Sequence, residues 1–124
     1  ARLLAAQWIA APKLRHLADS HMNRFVGVRH MLSEDHPTFK PYDQDAWADL
    51  PDGAGSDLDD SLELLRGLHK RWVRLYTNLP EAAWARTGIN PESQRVYTME
   101  DILRIYAGHG EGHLDQIRRT LAAA

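Results

Sequence analysis

The stretch LDDSLELLRGLHKRWVRLYTNL, residues 58–79, decides the fold. Leu58, Leu62, Leu65, His69, Trp72, Tyr76 and Leu79 recur at alternating steps of four and three. On a helix of about 3.6 residues per turn that alternation draws one continuous apolar stripe, the seam of a packed bundle. A helix from about Asp57 to Asn78 is therefore expected. Upstream, Leu14, Ala18, His21, Phe25, Val28 and Leu32 repeat in the same way, so a first long helix is expected from Pro12, a residue suited to a first turn, to Ser33. Downstream, Thr98 can cap, and Glu100 and Asp101 suit the positive end of a helix dipole. A third long helix is expected from Thr98 to about Ala122, its stripe running through Leu103, Tyr106, His113 and Ile117.

The connections carry breakers. Between the first two helices lies a polar, proline-bearing segment, His36-Pro-Thr-Phe-Lys-Pro-Tyr, then a short helix at Asp45–Asp49 and a turn at 51–55. A short helical stretch at Glu81–Arg86 and a turn at Gly88-Ile-Asn-Pro follow the second helix. No alternating pattern persists and no repeat is evident, so the expectation is an all-α bundle forming a single domain over residues 1–124. Three long helices make a thin bundle. A fourth could come from the short apolar segment Arg2–Ala11 or from a second copy of the chain, so a homodimer is expected on packing grounds.

Composition narrows the function. A formal charge of −2, with basic residues scattered, gives no general attraction to nucleic acid or anionic lipid. No apolar run approaches a membrane span and no signal peptide is visible, so a cytoplasmic protein is expected. The absence of cysteine excludes a disulfide framework and any thiolate metal site, leaving nitrogen and oxygen ligands for a metal.

His109 and His113 lie one turn apart on one helix face, the spacing that grips a single metal ion. Chemically active sites of this kind take a third protein ligand and leave one position open. His16, His21 and His69 are candidates. His21 and His69 occupy seams, where a hydrogen-bonded core histidine is the plain alternative. His16 lies elsewhere on its helix, above a stripe of Ser20, Asn23 and Gly27 that makes either a cavity wall or a solvated face. Spacing does not choose among the three. It does exclude a zincin protease: that motif needs glutamate directly after the first histidine, whereas Glu111 is turned about 200° away from His109.

Several separated segments together are specific. His16-Leu-Ala-Asp-Ser-His-Met-Asn, Lys40-Pro-Tyr-Asp with Trp47, Leu68-His-Lys-Arg-Trp and His109-x-x-x-His113-x-x-Gln-Ile117, preceded by Trp8, resemble the DinB/YfiT-like superfamily in its YfiT-type branch. The resemblance implies an up-down helical bundle holding one divalent ion, zinc or nickel, on His16, His109 and His113. It puts His69 near the pocket as a substrate-contact or supporting residue. It also implies an enzyme whose metal activates water or a low-molecular-weight thiol, a hydrolase or an S-transferase acting on a small molecule. Asn23 is a candidate substrate contact, and Asp19 or Asp115 a candidate partner for a ligand histidine. The chain departs from the pattern in two places. The family's first helix is missing, or is supplied by a partner chain, and glycines crowd the run Gly108-His-Gly-Glu-Gly-His113. The rival reading is a non-catalytic, metal-stabilised helical dimer or interaction module.

Overall fold

The computed structural model describes residues 2–53 and 58–106, with the backbone alone for 2–9. Helix α1 spans Arg2–Ser33, α2 Gln44–Ala48 and α3 Asp59–Thr77. A final helix is described over 99–106. Helices dominate, as the seams require, and α3 falls within two residues of its expected limits. Its stripe packs against α1: Leu65, Trp72 and Tyr76 are buried, and Leu58, Leu62, His69 and Leu79 are half-buried.

Two elements differ from expectation. Helix α1 does not start at Pro12 but runs through it from Arg2. Proline removes one backbone hydrogen bond, and Pro12 is exposed, where the freed carbonyl can tilt toward water. The residues just before it, Ala10 and Ala11, are fully buried, so continuing the helix covers apolar surface that a break would expose. The second difference is an antiparallel hairpin, β1 (Thr87–Ile89) with β2 (Val96–Thr98), in place of the expected turn. Strands of three residues are too short to leave an alternating signal. The turn itself sits two residues later, where the Asn90 side-chain oxygen accepts from the backbone N–H of Glu92 at 2.9 Å and of Ser93 at 3.3 Å.

The hairpin is fastened to the segment after α1. Phe39 donates its N–H to the Ile89 carbonyl at 2.9 Å, and Ile89 donates to the Pro37 carbonyl at 3.0 Å. Arg86 caps α1, its Nε donating to the Met31 carbonyl at 2.7 Å and its Nη2 to that of Glu34 at 3.1 Å. The buried Phe39 ring lies against Gly27 of α1 and Gly88 of β1. A Cβ on Gly88 would stand 2.5 Å from Phe39 Cζ and 3.1 Å from Met31 Cγ. Gly88→Ala is therefore expected to lose about 1–3 kcal/mol of stability, the usual cost of overpacking; an unchanged denaturation midpoint would show that Phe39 moves freely.

The core has two parts. Phe25, Val28, Met31, Phe39, Trp72, Tyr76, Met99 and Ile102 form the larger; Ala10, Leu14, Leu17, Ala18 and Leu65 form the smaller. The buried Tyr76 hydroxyl donates to the Met99 carbonyl at 3.0 Å, and burial pushes its pKa up to about 12. The final helix begins as expected at Thr98. Its Oγ1 accepts from the Asp101 N–H at 3.2 Å while Asp101 Oδ2 accepts from the Thr98 N–H at 2.9 Å, a reciprocal cap with aspartate in the glutamate position.

Candidate functional site

Helix α1 is buried along more than its seam. Ser20 is 8% exposed and Gly27 is buried, so the stripe above His16 faces protein rather than solvent. What covers it is the proline-bearing segment after the helix. Phe39 sits on Gly27, Asn23 Nδ2 donates to the Lys40 carbonyl at 3.4 Å, and the hydroxyls of Tyr42 and Ser20 are hydrogen-bonded. Tyr42 in turn lies 4.3 Å, centroid to centroid, from Trp47 of α2. Helix α2 is started by Asp43, whose side chain accepts from the Ala46 N–H at 3.0 Å. Tyr42 and Trp47 thus form part of the wall of a cleft.

That cleft, of about 350 Å³, lies among α1, α2 and the start of α3, and the half-buried His16 lines it. Asp19, about one turn further along the helix, lines it too. Burial raises the Asp19 carboxyl above its ordinary range; the like charge of Asp52 adds to this, and His16 and Arg15 partly offset it. Burial also raises the Tyr42 hydroxyl, against the lowering effect of its bond to Ser20. Asp19 and His16 are therefore electrostatic neighbours.

The other histidine candidates meet each other instead. His21 Nδ1 and His69 Nε2 are hydrogen-bonded at 3.0 Å across α1 and α3, between the two parts of the core. His21 is 2% exposed and packs edge-on against Trp72 and Tyr106. The plain reading of two core histidines holds for their geometry. Burial lowers the His69 pKa below its ordinary 6.5. A histidine depressed on folding takes up its proton more readily in the unfolded chain, so stability falls as pH drops below about 6.5 and levels off below the folded-state pKa. Urea midpoints measured from pH 7.5 to 5 should show this fall, and His69→Gln should flatten it; an equally steep profile in the variant would contradict the assignment.

Arg24, which sequence reasoning passed over, stands among aromatic rings. Its guanidinium lies 4.6 Å from the Phe39 centroid, 5.9 Å from that of Tyr97 and 5.4 Å from that of Tyr106, and its Nε donates to the Tyr106 hydroxyl at 3.3 Å. It ties α1 to the hairpin and the final helix. Its sole sequence signal is its place beside the His16 stripe. His109, His113, Glu111 and Asp115 lie outside the described residues. Among the described residues no three histidine or carboxylate side chains gather to hold a metal, which leaves His16 as the one proposed ligand with a described position.

The family model of the DinB superfamily matches residues 6–117. The chain belongs to the DinB superfamily. Among its DinB relatives, YfiT of Bacillus subtilis (strain 168) is 36% identical over 110 residues, covering 89% of this chain and 62% of YfiT. A protein of Oceanobacillus iheyensis, OB0782, is 39% identical over 110 residues, with 89% and 63% covered. The solved structure of B. subtilis YfiT superposes with a TM-score of 0.83 at 34% identity, over 89% of this chain and 63% of that one. YfiT is described as a probable metal-dependent hydrolase with an unusual four-helix bundle topology. This chain therefore has the DinB/YfiT-like helical bundle, and it spans a little over three fifths of the relatives it matches. Among the described residues no helix is long and apolar enough to cross a membrane.

Proposed function

We propose that this DinB chain is a metal-dependent enzyme, with a divalent ion, zinc or nickel, held by His16, His109 and His113. The observation that carries the reading is the position of His16. Its imidazole stands half-buried at the wall of a cleft of about 350 Å³, beside the Asp19 carboxyl, on a stripe whose other members are covered by protein. A neutral imidazole backed by a carboxylate is the donor that zinc and nickel take, and a chain without cysteine offers nitrogen and oxygen alone. The names of the matched relatives, as metal-dependent hydrolases, support a metal-dependent role in general.

Bound there, the ion would lower the pKa of a water or a low-molecular-weight thiol and make a nucleophile near neutral pH. The chain's own residues do the rest. Asp19 acts on the His16 ring through its charge. Asn23 holds the Lys40 carbonyl and so helps fix the segment that carries Tyr42. Tyr42 and Trp47 close one wall against water. His69, neutral through burial and bound to His21, steadies the helix pair beneath the site.

Elemental analysis of protein purified without a polyhistidine tag tests the metal: close to one zinc or nickel per chain is expected. Hydrolysis of activated esters and conjugation of small thiols to electrophiles, assayed before and after chelation, test the chemistry. Stoichiometric metal with neither activity would favour a metal-stabilised interaction module.

A further inference from the structure

The cleft beside His16 has a chemical character of its own. Among the described residues four carboxylates line it, Asp19 from α1, Asp45 from α2, and Asp52 and Asp60 from the segments around the start of α3, against a single guanidinium, that of Arg15. The paired rings of Tyr42 and Trp47, half-buried, line the same cleft. Asp19 feels the like charge of Asp52. Among the described residues no three of these acids stand close enough to hold a bare metal ion, so the charge is spread along the cleft. An anion would meet more like charge than opposite charge among these residues. An organic cation would meet both carboxylates and aromatic rings there, and aromatic faces attract positive charge as well as apolar surface.

We propose that this cleft binds the protonated amine of a small molecule, its carboxylates meeting the ammonium group and the Tyr42–Trp47 pair its apolar body. That the bound amine is the enzyme's substrate rests on the metal reading above; that the cleft selects a cation does not. A volume of about 350 Å³ admits a molecule of this kind.

The test is calorimetric titration of the whole chain at low salt with 2-phenylethylamine, its neutral isostere 2-phenylethanol and the anion phenylacetate. The amine is expected to bind on the order of fivefold more tightly than the alcohol, the ratio one partly exposed ion pair supplies, with phenylacetate weakest. Asp52 and Asp60 are exposed, so Asp52→Asn and Asp60→Asn leave the fold intact, and together they should bring amine and alcohol to near equality. Added salt should do the same. Equal affinities in the unaltered protein, no binding of the amine, or a preference surviving both substitutions would overturn the proposal. The titration is repeated after chelation, where the preference should persist; its disappearance there would also overturn a metal-independent cation site. Metal content is measured separately, so either reading can fail alone.

Discussion

Trp72→Ala is expected to remove about 3–5 kcal/mol of stability, as truncation of a large buried aromatic does. The indole is 8% exposed and stands where three helices meet. Its centroid lies 5.4 Å from Phe25 and 6.0 Å from His21 on α1, and 6.0 Å, stacked, from Tyr106 on the final helix. Loss of the ring leaves a void among groups that cannot close over it, because His21 is held by His69 and Tyr106 by Arg24. Against a total of about 5–15 kcal/mol for a domain, this is a large share. The neighbouring Val73 is 66% exposed, and Val73→Ala should change stability by no more than about 0.5 kcal/mol. Urea denaturation of both variants checks the pair. A loss of under about 1 kcal/mol for Trp72→Ala would mean the three helices are packed differently.

The second large effect concerns the metal. His16→Ala is expected to weaken zinc or nickel binding by more than about 100-fold, since even outer partners of metal ligands cost 10–100-fold when removed. His21→Ala, only five residues away, should leave metal affinity nearly unchanged while lowering stability, because His21 bonds His69 in the core rather than lining the cleft. Competition with a chromogenic chelator measures both. Equal losses for the two variants would say that the metal senses the fold, not the ligand. Asp19→Asn should fall between them, with weakened metal affinity and an intact fold.

The parts of the fold that follow a period were legible, and the parts fixed by tertiary contacts were not. Helix α3 could be read almost to the residue because its stripe is strict and its ends are polar. The Thr98 cap was equally plain, since capping is local chemistry written within four residues. Pro12 misdirected the start of α1: proline marks a first turn by local preference, but burial of Ala10 and Ala11 outweighs it. The hairpin left no period, and its stability comes from pairing with residues 37–39, some fifty positions away. The site shows the same division. The seam positions of His21 and His69 allowed a hydrogen-bonded core pair but did not choose it over a ligand role; the contact across α1 and α3 does. Whether the stripe of His16, Ser20, Asn23 and Gly27 met solvent or protein could not follow from spacing, because the answer lies in how residues 37–47 fold back over α1. Arg24 went unread for the same reason, its rings arriving from three distant segments.

Metal-edge anomalous diffraction from crystals of the metal-loaded chain tests the central claim most directly. One peak is expected, with nitrogen atoms of His16, His109 and His113 all within bonding distance of it. A peak bound elsewhere, or one at His109 and His113 with His16 turned away, would contradict it.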